Sequence, residues 1–213
     1  MAETADVVVV GAGVVGCSVA YYLSRQGVKV KLVERDGIGS GASTHATGFL
    51  SLLGAEFSQG PSFETALAAY REFPDVVKDL EETTGIDLLY QRRPSLRLAL
   101  EEEEETLIKD LMSWQQDLVR VKWIGPDEVH EVEPRLTRQI RGAAYEDESA
   151  QLDSYRLTLA LAQAAEKRGA ELQLRPVTGF LGDSSRVTGV RTATGDIECG
   201  TVVVAAGTWS SSF

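Results

Sequence analysis

The glycine turn Gly11-Ala12-Gly13-Val14-Val15-Gly16 constrains the fold of this chain more than any other stretch. It follows at once on an apolar run, Val7 to Val10, and it opens an apolar-periodic segment, Cys17 to Gln26, that reads as a helix. A second strand-like run, Val28 to Val33, closes on Glu34. Strand, G-x-G-x-x-G turn, helix, strand and an acid roughly 20 residues on make up the dinucleotide fingerprint in its full context. A right-handed β-α-β crossover over residues 6–34 is the expected geometry. Gly11 supplies the tight turn out of the strand. Gly13 lets a pyrophosphate approach the backbone with no Cβ in the way. Gly16 lets the helix lie close on the sheet. The helix start, with the amides of Val14 and Val15, offers unpaired N–H groups and a positive dipole end to phosphate. Glu34 can accept hydrogen bonds from ribose hydroxyls. Its charge repels a 2′-phosphate, which favours FAD or NAD over NADP.

A chain of 213 residues holds one good core or two small domains. A net charge of −11 disfavours nucleic acid and anionic membrane surfaces as partners. No apolar run is long enough to span a bilayer. The first strand is reached almost at once, which leaves no room for a signal or transit peptide, so a cytoplasmic protein is expected. The two cysteines fit that compartment as reduced thiols, Cys17 on a buried helix turn and Cys199 near a strand end.

Met1 to Ala5 reads as a polar lead. Gln26-Gly27 ends the first helix. Residues 35–60 read as irregular, and Gly39 to Gly48 is an uncharged run of small residues apart from His45. Such a run suits close approach to a flat or phosphorylated ligand. Phe49, Leu50, Leu52 and Leu53 call for burial. Pro61 to Thr84 reads as an amphipathic helix with Gly85 past its end and Pro74 as a kink position. Ile86 to Tyr90 and Leu96 to Leu100 read as a hairpin. A helix from Glu101 to about Leu118 opens on five glutamates, a solvated first turn that complements the dipole rather than a metal site. Val121 to Ile124 and Gly142 to Tyr145 read as strands, with a helical turn from Pro126 that ends before Pro134. His130 in that turn reads as a surface residue. Ser154 to Arg168 is a helix stopped by Gly169, and Glu171 to Arg175 the strand after it. Phe180-Leu181, Val187 to Thr192 and Asp196 to Cys199 read as a meander. Val202 to Ala205 reads as a buried strand, and Ala206-Gly207-Thr208-Trp209 as a tight turn. The expected class is α/β. Residues 1–85 and 151–213 form a Rossmann-like nucleotide domain, a parallel sheet with a small antiparallel meander. Residues 86–150 form an inserted, incomplete α+β substrate domain.

Three motifs together resemble the D-amino-acid-oxidase-like superfamily of FAD-dependent oxidoreductases: the glycine fingerprint with Glu34, Gly39-Ser40-Gly41-Ala42-Ser43 through Gly48, and Thr201-Val-Val-Val-Ala-Ala-Gly-Thr-Trp-Ser210. Within the superfamily the chain is most similar to glycine oxidase of the thiamine pathway. Gly60-Pro61, Tyr70-x-x-Phe73-Pro74, Leu80-Glu81, Thr84-Gly85-Ile86-Asp87, Tyr90, Glu128-Val129, Glu133-Pro134 and Gln151-Leu152-Asp153 carry that likeness. The resemblance implies FAD as cofactor. Gly11, Gly13, Val14, Val15 and Gly16 would hold its pyrophosphate, and Glu34, with Arg35 beside it, its adenosine ribose. Ala42, Ser43 and Thr44 would line the phosphate and ribityl part. Ala46, Thr47, Gly48 and Phe49 would approach the isoalloxazine. Val177 would meet the adenine through its backbone, and Ala206, Gly207 and Trp209 would border the cofactor. The implied reaction moves a hydride from the α carbon of a small amino acid or amine to flavin N5, with O₂ or an electron carrier taking the electrons. The catalytic residue is unknown, since the resemblance requires no protein base.

Two residues depart from the glycine oxidase pattern. Pro94 stands where that family has glycine, and His45 where it has a small residue. The stretch Glu34 to Leu50 also aligns without gaps on sarcosine and dimethylglycine dehydrogenases, whose matching histidine is bound covalently to flavin. There Thr44 replaces the tryptophan that precedes it. His45 is therefore read either as a covalent flavin site or as a histidine packed beside the cofactor. Superfamily members continue past the Ala-Ala-Gly-x-Trp turn, so the chain reads as an N-terminal portion. The carboxylate-anchoring arginine is expected elsewhere. By itself the chain is expected to bind FAD poorly and oxidise no amine. Three readings follow: an amine oxidase, a covalent-flavin dehydrogenase, and a non-catalytic FAD-binding chain needing a partner chain or a second copy of itself.

Overall fold

The structure, a computed structural model, describes residues 3–53 and 57–213. Met1 and Ala2 of the expected lead, and residues 54–56 of the expected irregular stretch, lie outside the described residues. The elements in order are β1 Glu3–Val10, α1 Val14–Arg25, β2 Val30–Glu34, α2 Ala42–His45, β3 Phe49–Leu50, α3 Pro61–Thr84, β4 Gln91–Arg92, β5 Ser95–Ala99, α4 Glu102–Gln115 and β6 Val121–Ile124. They continue as α5 Pro126–Val132, β7 Gly142–Glu146, β8 Ala150–Gln151, α6 Ser154–Lys167, β9 Glu171–Leu174, β10 Val177–Gly182, β11 Val187–Thr192 and β12 Gly195–Val204. A 3₁₀ turn, Gly207–Ser212, follows.

The chain divides into two compact units: Met1–Thr47 with Val77–Leu88 and Asp153–Phe213, and Gly48–Val76 with Leu89–Leu152. Its divisions fall within α3 and beside Thr47, Leu88 and Leu152.

The first unit carries a six-stranded sheet in the order β10-β11-β12-β1-β2-β9. The strands β12, β1, β2 and β9 run parallel, and β10, β11 and β12 pair antiparallel. This is the α/β arrangement the sequence calls for. Val8, Val10, Val33, Val190 and Ile197 form a core cluster on this sheet. α1 packs against α6. The Tyr21 hydroxyl donates to Asp79, which also accepts from Arg168 Nη2 at 2.9 Å, so α1, the last turns of α3 and α6 are tied together.

Three expectations here are corrected. β1 begins at Glu3, inside the expected lead, because Glu3, Thr4 and Ala5 find partners in Ile197, Glu198 and Cys199. The meander strand at 196–199 and the strand at 202–205 are one continuous ten-residue strand, β12. β11 flanks it only from Gly195 to Glu198, and β1 flanks it from Ile197 to Val204. The far half is therefore not buried as expected: Val202 and Val203 are half-buried and Val204 is 39% exposed.

The second unit holds two three-stranded sheets, β5-β7-β6 and β3-β8-β4. The expected hairpin does not form. Residues 86–90 carry no strand, β5 pairs with β7, and β4 pairs with β8. Leu88 is buried with its N–H given to Glu81 Oε1 at 3.0 Å, and Leu89 adopts φ 54, which takes the chain out of any strand. α4 covers one sheet through Ile108 and Met112 against Ala99, Ala144 and Leu53. Its acidic start is a capping box: the Glu104 side chain accepts from the Glu101 N–H at 3.1 Å. The stretch 35–60 is not wholly irregular, since α2 and β3 lie in it.

Candidate dinucleotide site

Gly11 leaves β1 at φ 106, and a Cβ on it would stand 2.5 Å from the Ala205 carbonyl oxygen. A Cβ on Gly16 would stand 1.9 Å from the Gly11 carbonyl oxygen, so α1 lies against the turn as only glycine permits. Gly13 is the N-cap of α1 and has no side chain with which to cap it. The loop supplies the cap instead: the Val14 N–H donates to Ser43 Oγ at 2.9 Å. A Cβ on Gly13 would come 3.2 Å from that oxygen. The Gly39 N–H donates to the Ala12 carbonyl at 2.9 Å. The small-residue loop is thus laid directly on the glycine turn.

Glu34 is buried at the end of β2. Its Oε2 accepts the Ala12 N–H at 2.8 Å and its Oε1 the Asp36 N–H at 2.9 Å. Each oxygen keeps a further lone pair for a ligand. Cys17 is fully buried beneath the turn, and Sγ donates to the Ala12 carbonyl at 3.4 Å. Burial, with the Glu34 charge adding to it, pushes the thiol up to about 12, so it stays protonated and unreactive.

These segments surround a cavity of about 1380 Å³, wholly within the first unit. That exceeds the roughly 300–1,000 Å³ of an ordinary drug-sized site. Of the residues expected at a cofactor, Gly11, Gly13, Val14, Val15, Glu34, Arg35, Ala42, Ser43, His45, Val177, Ala206, Gly207 and Trp209 line it. Gly16, Thr44, Ala46, Thr47, Gly48 and Phe49 do not. Gly16 packs under the turn. The Thr44 hydroxyl donates back to the Gly39 carbonyl, and the Ala46 carbonyl accepts from Ser154 Oγ at 2.8 Å. Gly48 and Phe49 belong to the second unit, where Gly48 sits at φ 70 against Leu152 and Phe49 pairs with Gln151. The cavity also takes in Pro176, Thr178, Gly179, Phe180, Ser210, Ser212 and Phe213, which sequence reasoning missed. Phe180 and Phe213 meet at 5.6 Å between centroids, a pairing that no spacing pattern announces.

Among the described residues no group of three or more His, Cys, Asp and Glu could hold a metal ion. No helix among them is long and apolar enough to cross a membrane. His130 is held between carbonyls, Nδ1 at 2.7 Å from Pro126 and Nε2 at 3.1 Å from Thr137.

The family described as FAD dependent oxidoreductase matches residues 6–213. The chain belongs to this family. Glycine oxidase of Geobacillus kaustophilus is 32% identical over 99% of this chain and 56% of its own length. Its crystal structure superposes with a TM-score of 0.91, at 31% identity, over 98% of this chain and 57% of that one. The crystal structure of glycine oxidase from Bacillus cereus superposes at 0.88 with 35% identity, over 98% and 57% of the two chains. Mouse mitochondrial dimethylglycine dehydrogenase is 28% identical over 98% of this chain and 24% of its own length. The chain spans about half the length of the glycine oxidases it matches. The family's cofactor is FAD, and the residues present fit it: a turn with no Cβ at Gly13, a helix start in the cavity wall, a buried acid at the strand end and an uncharged loop.

Proposed function

We propose that the protein serves the FAD-dependent oxidation of a small amino acid or a secondary or tertiary amine, of the glycine or sarcosine kind. The observation that carries this is the convergence of the glycine turn, Glu34 and Ser43 on one cavity of dinucleotide size. When bound, FAD would supply the hydride acceptor, flavin N5, with O₂ or a carrier as the final electron acceptor. The residues of this chain bind and orient. The α1 start, at Gly13, Val14 and Val15, brings the equivalent of about half a positive charge to the pyrophosphate. Glu34 receives ribose hydroxyls on its remaining lone pairs. Val177, Phe180 and Val204 give the wall an apolar lining. The domain division into a nucleotide domain and a substrate domain belongs to the same proposal. The substrate class rests on likeness to the glycine oxidases, and no residue is assigned as a base.

The test has two steps. FAD should quench saturably on the protein while NAD and NADP compete weakly; equal competition by NAD would sink the cofactor assignment. Protein isolated from its own cells, with any chains that accompany it, is then mixed anaerobically with glycine, sarcosine and dimethylglycine. Bleaching of the flavin absorbance by one of them is expected, and bleaching by none overturns the substrate class.

One observation favours a second reading. His45 is exposed in the cavity wall, on the short α2 turn. A dehydrogenase of the sarcosine and dimethylglycine type, with flavin attached at His45, accounts for a histidine there. Acid precipitation decides: yellow colour released entirely into the supernatant removes this reading. A cytoplasmic location is supported by Cys17 and Cys199 both being free thiols.

A further inference from the structure

We infer that Trp209 is a positioning residue: its indole fastens the end of β2 and the small-residue loop to the turn after β12, and so holds three walls of the cavity together. This rests on the reading that the cavity receives FAD. Trp209 is 46% exposed, so it is no ordinary core residue. The Arg35 guanidinium carbon lies 4.3 Å from its ring centroid. Arg35 is held from another side by Asp36, whose Oδ2 accepts from Nε at 2.9 Å. A methyl placed on Gly41 would come 3.5 Å from Trp209 Cζ3, so the ring edge stands over the loop. Arg35, Gly41 and Trp209 all line the cavity, and among the described residues Arg35 is the only Lys or Arg in its wall.

Hydrogen bonds do not do this fastening. The Gly11 N–H donates to the Val33 carbonyl and the Ala205 N–H to the Val10 carbonyl, which joins the strands below. The Trp209 N–H goes to the Ala206 carbonyl, within its own turn. Among the described residues no hydrogen bond links Gly207–Ser212 to residues 34–45. The stacked guanidinium and the indole edge remain. Arg35 is also paired with Asp36, which mutes its charge toward a diphosphate, so its planar face matters more than its cation.

The test compares Trp209→Leu, Trp209→Phe, Arg35→Met and the Trp209→Leu/Arg35→Met double variant. Trp209→Leu should weaken FAD binding by about 2- to 30-fold, the range of a cation–π contact, while Trp209→Phe keeps most of the affinity. The double variant should bind no more weakly than the weaker single one, because both remove one contact. In the cofactor-free protein, amide exchange at residues 35–36 and 40–45 should quicken in Trp209→Leu and stay near wild type in Trp209→Phe. Single effects that multiply in the double variant overturn the inference, as does unchanged exchange in Trp209→Leu. Should Trp209→Leu not fold, Arg35→Met and Trp209→Phe carry the comparison. If the wild-type protein, isolated with any chains that accompany it, binds no FAD, the FAD reading fails, and the exchange result still decides whether the indole fastens the walls.

Discussion

Glu34 already holds two backbone amides, Ala12 and Asp36, so it shapes the glycine turn as well as facing the cavity. Glu34→Gln offers one acceptor oxygen to those two donors and must set its own NH₂ against one of them. We expect a loss of about 1–3 kcal/mol in denaturant unfolding, and a variant as stable as wild type would show that these bonds carry no weight. Cys17 gives a pH prediction. Its folded pKa is raised from 9.0 to about 12, so the fold favours the neutral thiol. That contribution is complete below pH 9.0 and is lost as pH rises toward about 12. Tyr21, raised from 10.0 to about 12 by burial and by Asp79, shares part of the window. The Cys17 share is therefore read as a difference: unfolding free energy should decline less steeply above pH 9 in Cys17→Ala than in wild type. Parallel curves would show that the thiol does not titrate with unfolding.

At the scale of elements, α6 is anchored by its N-cap, where Asp153 Oδ1 accepts the Arg156 N–H at 2.9 Å. Asp153→Ala should cost about 1 kcal/mol in thermal unfolding, while Asp153→Asn retains an acceptor and most of the stability. A full loss in Asp153→Asn would point to the charge instead. The helices were legible because their ends carry chemistry of their own. Pro61 and Gly85 bracket α3, and Gly169 at φ 96 stops α6. Strands were less legible, since a strand is defined by a partner that the sequence does not name. Leu96 to Leu100 alternates as a strand should, yet its partner is β7 and not the run just before it. The strands expected at 196–199 and 202–205 are joined in β12, where β1 pairs at Cys199 and again from Thr201 onward.

At the scale of the whole molecule, the site draws on stretches far apart in the chain. The glycine turn with Glu34 was legible because one β-α-β unit holds every piece of that motif. The placement of Phe180 and Phe213 and the Arg35–Trp209 stack were not, because only the folded sheet brings residues 35, 180, 209 and 213 to one cavity. That cavity lies within one of the two compact units, and this makes the response to cofactor a map and not a single number. At FAD concentrations near 100 times the dissociation constant, binding should stabilise the folded state by about 2.7 kcal/mol. Protection from amide exchange should then rise most at residues 11–14, 34–36, 40–45 and 205–209, which line the cavity or adjoin its lining. The β5-β7-β6 sheet of the second unit should gain least. Protection that rose in that sheet while residues 11–14 and 40–45 stayed unchanged would place the cofactor elsewhere, and the glycine turn would then be a fold device without a ligand.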